Sequence, residues 1–268
     1  MKIIGNGFLS KAGLLESKSI EGELREILNI LQDLVELGDF ILQSANLEEQ
    51  ETEIEKRKVV CSVLMARILE ISEAIIVLAK GGFSNEVMSG VRNFVEVYFI
   101  FGNACIEEGF FEEYFKTDLV ARKKIINVAL QSKSEIFEKV RNYATDDVVD
   151  ELKNEILDLS AVESNCYYYA KKIGCTDIYD GLYRIASSAT HSNPRSLEVY
   201  VSENENEDVV EIKRKPQINN IDENLYSISY FLTNVCDIFG ALVNVDVKSQ
   251  VIGLKERIAI FESKNLPK

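Results

Sequence analysis

The sequence contains no tryptophan, one histidine and three prolines among 268 residues. A single histidine and five scattered cysteines, with no CxxC pair, exclude the ligand spacing of a zinc site. The odd number of cysteines, most of them in apolar segments, is typical of small buried side chains in a reducing cytoplasm. We therefore predict a cytoplasmic protein without a zinc site, although a metal site made of carboxylates alone stays open.

Glycine-rich phosphate loops and nucleophile motifs are also missing. Gly5-Asn6-Gly7 and Gly81-Gly82 match neither a P-loop nor a dinucleotide-binding fingerprint. No GxSxG elbow and no Cys–His nucleophile pattern is present. These absences predict that the protein uses no cofactor.

Long apolar runs are absent as well. No window of about 18 uncharged apolar residues exists, so the sequence predicts no transmembrane span and no membrane partner. The apolar stretch at the N-terminus is too interrupted for a signal peptide.

Positive charge is scarce. The net charge is −14, and an acidic chain binds nucleic acid poorly unless Lys and Arg cluster locally. The cationic runs are Lys56–Lys58, Arg122–Lys124 and Lys213–Lys215, and an RNA site would need one of them at its border. The acidic surface either serves solubility or suits a basic protein partner.

The remaining sequence is dominated by apolar residues at helical spacing. The predicted helices run from Glu21, with Ser19 as cap, to Ala45, from Leu47 to Ala79, and to Ile106 with Ser84 as cap. Gly109 separates the next predicted helix, from Phe110 to Gln131, and further helices follow over Ser134–Tyr143, Asp146–Lys172 and Asp177–His191. The last two are predicted from Asp222 onward and over Val247–Glu262. The second half of the Leu47–Ala79 stretch is apolar nearly all round, which predicts a helix buried on every side.

Only one segment reads as β-structure. Leu197–Val201 and Val209–Lys213 are rich in β-formers, and an acidic loop joins them, which predicts a hairpin. Residues 1–19 show no clear period and are predicted to form an irregular arm. The sequence thus predicts an all-α fold over 1–268 as a single domain. The fold is a multi-helix bundle of long antiparallel helices, with one small β-hairpin (196–216) inserted before the last long helix.

The only histidine, His191, lies in a helical segment with a second functional group. Arg184 precedes it by seven positions, with Ser187 and Ser188 between, so all four lie on one helical stripe. Imidazole is suited to proton transfer near neutral pH, and guanidinium holds phosphate. Because RNA carries its own nucleophile, the 2′-hydroxyl, these two groups suffice for metal-independent cleavage.

Structural roles explain the same residues. A histidine at a helix C-terminus is favoured by the helix dipole and could hydrogen-bond the hairpin. Arg184 could simply pair with Asp180, four residues earlier.

Arg92 and Glu96 form a second pair, one turn apart in the most apolar helix. Charges in such a helix need partners. They therefore form either an ion-pair network that fixes helix register, together with Arg67, Glu70 and Glu73, or a support behind Arg184 and His191.

Arg184-IASSAT-His191 resembles the Arg…His motif of the HEPN-like superfamily of helical-bundle proteins. The resemblance implies a homodimer whose motifs share one cleft, with His191 as acid/base and Arg184 as phosphate clamp. It also implies RNA as substrate and a role as a bacterial toxin or antiphage effector.

A broader resemblance covers Val59 to Asn193 plus the final long helix. The segment ARILEISEAIIVLAKGGFSNEVMSGVRNFVEVYF and the later YRIASSATH resemble an uncharacterised bacterial domain-of-unknown-function family, the 5677 type. The matching residues are Arg92, Glu96, Tyr183, Ser187 and His191. This resemblance implies a fold and a site location, and no reaction.

Three functions are therefore considered. A ribonuclease predicts His191 exposed in a cleft, whereas a non-catalytic binding or scaffold protein predicts His191 buried and hydrogen-bonded. A small-molecule sensor predicts an open apolar cavity near Arg92.

Overall fold

The computed structural model describes residues 2–5, 7–47 and 51–265. It confirms an all-α bundle with a small hairpin before the last long helices. In chain order the elements are β1 (Lys2–Ile4), α1 (Lys11–Glu23), α2 (Arg25–Ser44), α3 (Glu53–Lys80), α4 (Ser84–Ile106), α5 (Phe110–Gln131), α6 (Glu138–Tyr143), α7 (Asp146–Asp158), α8 (Cys166–Lys172), α9 (Thr176–Ile178), α10 (Arg184–Thr190), α11 (Pro194–Leu197), β2 (Val201–Glu203), β3 (Val209–Lys213), α12 (Ile221–Val243) and α13 (Lys248–Asn265). A π-helical segment, Tyr179–Tyr183, joins α9 to α10.

Four long helices, α2, α3, α4 and α12, pack together and form the core. Helix α13 covers α2 and α12 on one side, and α1 lies against α2 and α3. Among the described residues, α12 has the length and mean hydropathy of a membrane span. Of its apolar window, 56% is buried inside the bundle, where α12 packs against α2, α3 and α4.

Helix α4 is central, and its aromatic side chains Phe94 and Phe99 are fully buried. Asn103, also fully buried, donates hydrogen bonds from Nδ2 to the carbonyl oxygens of Phe99 (2.7 Å) and Tyr169 (2.9 Å). The second bond ties α8 to α4, since backbone oxygens buried there need a donor.

Helix α3 differs from its prediction, because it is buried on one face only. Val63 and Val77 are 66% and 69% exposed on its outer side. Arg67 pairs with Glu70 at 2.6 Å in an exposed position, and Glu73 is exposed too. These charges therefore form no buried network. The outer face of α3 also carries apolar residues. For this reason the sequence predicted a helix that is buried on every side.

The start of α3 also differs from the prediction. The helix begins at Glu53 instead of Leu47, because Thr52 and Glu55 form a reciprocal capping box. Residues 48–50 of the predicted stretch lie outside the described residues.

The prediction of an irregular N-terminal arm over residues 1–19 is wrong for those residues of the stretch that the structure describes. Strand β1 runs parallel to β3, with Ile3 opposite Ile212, and it completes a three-stranded sheet in the order β1-β3-β2. Helix α1 begins at Lys11, and Ser10 caps it by accepting a hydrogen bond from the Gly13 N–H at 3.0 Å. Ser19 therefore lies inside a helix and is not a cap.

Three other boundaries shift for local reasons. Leu197 ends α11 instead of opening a strand, because Pro194 favours a helical first turn. The predicted Asp146–Lys172 helix is two helices, and the Asn165 side chain caps the second by accepting from the Tyr168 N–H at 2.9 Å. Ser84 is the first residue of α4, and Phe83 occupies the cap.

Residues 110–163, named here the α5–α7 arm, are packed loosely. The hydrophobic residues buried in this arm are Phe110, Ile126, Ala129 and Ala144. Helix α7 has no buried residue in its 13 positions. The arm therefore has little core of its own.

Candidate functional site

The candidate site lies on a helical run that packs against α4. The run consists of α9, the π-helical segment Tyr179–Tyr183 and α10. Ala186 is fully buried, so α10 directs its opposite face outward. A π-turn is wider than an α-turn and occurs frequently at functional sites.

The outward face of α10 carries the four residues predicted to share a stripe. Arg184 is 67% exposed in its side chain, and His191, which follows the last residue of α10, is exposed. The backbone N–H of His191 donates to the Ser187 carbonyl oxygen at 3.2 Å. Ser188 Oγ donates to the Ile185 carbonyl oxygen at 2.7 Å.

The His191 imidazole makes no hydrogen bond and no ion pair with the residues that the structure describes. The structural alternative predicted a hydrogen bond from this imidazole to the hairpin. Among the described residues, that bond is absent. His191 is exposed, which agrees with the exposure, though not the cleft, that the ribonuclease hypothesis predicts. The scaffold hypothesis predicts a buried histidine instead.

Arg184 does have a partner. Its guanidinium pairs with Asp180 at 3.5 Å, which confirms the i−4 pairing expected from the sequence. It also lies 6.0 Å above the ring of Tyr179. Because both charged side chains are more than half exposed, water screens this pair, and another anion can replace the carboxylate.

Arg92 connects α4 to the π-helical segment. Its Nη2 donates to the Tyr183 hydroxyl at 2.9 Å, and its Nη1 pairs with Glu96 at 3.1 Å. The guanidinium carbon lies 5.1 Å from the Tyr183 ring centroid. Arg92 is 22% exposed and Glu96 40% exposed, so the pair sits at the bundle edge and not in its core.

Aromatic rings connect the two arginines. Tyr183 stacks on Tyr179 with ring centroids 5.0 Å apart, and Tyr167 meets Tyr179 edge-on at 5.2 Å. We name these three rings the tyrosine column (Tyr167, Tyr179 and Tyr183). Arg92 lies over the Tyr183 ring and Arg184 over the Tyr179 ring. The structure therefore brings Arg92, Glu96 and Tyr183 into the vicinity of Arg184.

Two further titratable groups lie inside this arrangement. Burial raises the pKa of the Cys166 thiol to about 12, and the nearby Glu96 carboxylate adds to the rise. Burial also raises the pKa of Tyr183 to about 12, with Cys166 and Glu96 in the same direction and Arg92 opposing them. Both groups are therefore protonated at neutral pH and serve as neutral hydrogen-bonding groups.

Cys166 and Tyr179 were not among the predicted site residues. Tyr179 lies four positions before Tyr183, a spacing that places two side chains on one helix face and could have indicated the stacking. Cys166 carries no such signal, because its contact with Tyr183 depends on how α8 packs against α4.

Cys166 gives a direct test of this local electrostatics. Glu96→Gln removes a carboxylate that disfavours the thiolate, so we expect iodoacetamide to alkylate Cys166 faster, by about tenfold for each unit that the pKa falls. Peptide mass spectrometry measures the rate at this one cysteine. Glu107→Gln, which alters a carboxylate bound to Lys172, should leave the rate unchanged. Equal rates in wild type and Glu96→Gln would contradict the assignment.

The other predicted features lie elsewhere. Within the described part of the chain, no group of three or more His, Cys, Asp or Glu side chains is placed to hold a metal ion. Two of the cationic runs are partly neutralised, because Arg122 pairs with Asp118 and Lys215 with Glu16. Of the three consecutive tyrosines at 167–169, Tyr169 is buried.

Residues 58–208, more than half of the chain, match the model of a family of unknown function, DUF5677. The chain belongs to DUF5677. The DUF5677 region extends from α3 to the hairpin loop and includes Arg92, Glu96, Tyr183, Arg184 and His191. No curated protein and no solved structure matches the chain. The resemblance to the HEPN-like superfamily stays a prediction.

Proposed function

We propose that this DUF5677 protein is a metal-independent endoribonuclease that acts as a homodimer. The observation that supports the proposal is the exposed stripe on α10, where an unpaired imidazole and an exposed guanidinium lie on one face. As a cytoplasmic enzyme that cuts cellular RNA without a metal, it would serve as a bacterial toxin or antiphage effector.

In the proposed reaction His191 and Arg184 divide the work. The His191 imidazole takes the proton of a 2′-hydroxyl, and the 2′-oxygen attacks the adjacent phosphorus. The bond from phosphorus to the 5′-oxygen breaks, leaving a 2′,3′-cyclic phosphate, and the imidazolium formed at His191 gives its proton to the 5′-oxygen. The Arg184 guanidinium holds the phosphate oxygens, where negative charge grows in the transition state.

A homodimer would bring the two groups closer together than one chain does. Seven residues of helix separate Arg184 from His191 by roughly 10 Å along the axis, so within one chain both side chains would have to extend toward each other to reach one phosphate. A two-fold axis near Ser187 and Ser188 would align two α10 helices antiparallel, with Arg184 of each copy opposite the imidazole of the other. Ile185, which is 59% exposed beside the stripe, would be covered by such contact.

The tyrosine column supports the site from behind. Tyr183, neutral and hydrogen-bonded to Arg92, stacks on Tyr179, whose ring lies below Arg184. Arg92 and Glu96 thereby fix the position of the helix segment that carries the stripe, and they take no part in the proton transfer.

Asp180 competes with RNA for Arg184, so its removal should favour RNA. For Asp180→Asn we expect tighter binding of single-stranded RNA by at most about fivefold, because an exposed ion pair is worth little. Filter binding measures the affinity, with Asp177→Asn as control for the general loss of negative charge. An unchanged affinity in Asp180→Asn, or an equal gain in the control, would contradict the role given to Arg184.

Cleavage of purified cellular RNA by wild type and His191→Ala tests the whole proposal. The alternative, a non-catalytic helical binding or scaffold protein that engages another protein, is favoured by the loosely packed α5–α7 arm. In that case His191→Ala would leave the protein's effect in cells unchanged, whereas substitutions in the arm would remove it.

A further inference from the structure

The α5–α7 arm leaves much of its apolar surface exposed to solvent. Helix α12 buries 13 of its 23 residues, whereas α5 buries three of 22 and α6 and α7 bury none. Large apolar side chains of the arm face solvent, with Ile125 at 55%, Tyr143 at 67% and Leu157 at 73% exposure. A concentration of exposed apolar side chains marks an interaction site.

A groove runs between α5 and α7. Its volume is about 250 Å³, and its lining includes the apolar side chains of Leu119, Ile125 and Leu152. Glu151 and Glu155 of α7 also line it. The groove is walled by two helices and accepts one or two apolar side chains, which is how an amphipathic helix docks by its apolar face.

The negative charge of the groove is not neutralised within the chain. Helix α7 contains six acidic residues and one lysine, Lys153, which pairs with Asp150 at 2.8 Å. Among the described residues, Glu151 and Glu155 have no cationic partner. The arginine in the groove, Arg122, already pairs with Asp118 at 2.6 Å. A ligand with cations beside its apolar face would supply the missing charge.

We propose that the α5–α7 groove binds a basic amphipathic helix of another protein. Apolar side chains of that helix enter the groove, and its Lys or Arg side chains lie against Glu151 and Glu155. A second copy of the chain is a poorer occupant, because a two-fold contact through this groove would bring each acidic rim against its own copy. The inference is independent of the proposed ribonuclease activity, which uses α10.

A synthetic helix with Leu on one face, Lys on the other and one Trp among the leucines is the probe. The chain has no tryptophan, so the emission of the peptide reports binding to the full-length protein without background. We expect a saturable blue shift with one peptide per chain, weakened at least about tenfold by Ile125→Ser with Tyr143→Ser. Glu151→Gln with Glu155→Gln should weaken binding and flatten its dependence on salt.

Matched controls separate the groove from general attraction to an acidic protein. Val63→Ser with Val77→Ser changes two equally exposed valines on α3, and Glu205→Gln with Glu207→Gln changes two acidic residues at the hairpin tip. Neither should affect binding, and a Leu/Glu peptide with the same apolar face should not bind.

Two outcomes would overturn the proposal. In one, the arm variants and the control variants bind the peptide equally. In the other, sedimentation shows self-association that the arm variants abolish, which would make a second copy the occupant. Circular dichroism checks that each variant is folded. The substituted apolar side chains in the arm are already exposed, so their loss should not unfold the chain.

Discussion

His191→Ala should reduce RNA cleavage by about a hundredfold to ten-thousandfold, the range for loss of a general acid–base group. In the proposed dimer the substitution removes the imidazole from both sites, and with it the group that takes the 2′-hydroxyl proton and gives a proton to the leaving oxygen. The side chain is exposed and makes no hydrogen bond or ion pair with the described residues, so its removal should leave the stability unchanged. Denaturing gel electrophoresis of a defined single-stranded RNA, without metal and with chelator, measures the rate.

Thr190→Ala, an exposed neighbour, is the matched control and should cleave at the wild-type rate. Arg184→Ala should also lose activity, and Arg184→Lys should recover only part of it, because an ammonium lacks the planar fork of guanidinium. The proposal is wrong if wild type leaves RNA intact, or if His191→Ala purified in parallel cleaves it equally well. An active protein that sediments as a monomer would contradict the dimer alone.

Asn103→Asp should be the most destabilising isosteric substitution in the core. The amide donates to two buried carbonyl oxygens, and a carboxylate in the same place would face both oxygens without a donor. We expect the free energy of unfolding to fall by about 3–5 kcal/mol at neutral pH, as for an uncompensated buried charge. Urea unfolding followed by circular dichroism measures it.

The pH dependence of Asn103→Asp distinguishes charge from shape. Burial would raise the pKa of the introduced carboxyl in the folded state above its unfolded value of about 3.9. The folded state then holds the proton more tightly, so the loss of stability relative to wild type is smallest at acidic pH. It grows as pH rises from the unfolded to the folded pKa. Asn127→Asp, exposed on α5, should change stability by less than about 0.5 kcal/mol. A loss that is independent of pH would mean that the carboxylate is not buried as a charge.

Helical spacing predicted most of the core because burial repeats with the helical period. The α4 residues Val87, Val91, Phe94, Val95 and Phe99 recur at helical spacing and are all buried. The same reasoning failed for α3, since valines at an outer surface look like core valines in a sequence. Strand β1 escaped prediction because three residues are too few to show a period.

The candidate site was predictable to the extent that its contacts are local. Asp180 and Arg184 are one turn apart, and their pairing followed from spacing. The contact of Arg92 with Tyr183 joins positions far apart in sequence, so the sequence indicated both residues but not their bond. The π-helical segment has no compositional signature, and with it the stacking of Tyr179 on Tyr183 stayed hidden.

The pairing of β1 with β3 determines when the sheet can form during synthesis of the chain. Ile3 is synthesised before α1 to α11, whereas its partner Ile212 is made only after them. Two further contacts form equally late. The Gly7 N–H donates to the Arg214 carbonyl oxygen at 2.9 Å, and Glu16 pairs with Lys215. Strand β1 can therefore join the sheet only after the hairpin has been translated. Closing so long a loop is also entropically costly, which delays the pairing further. The nascent chain therefore presents an unpaired strand to cellular chaperones while α1 to α11 and the hairpin are made.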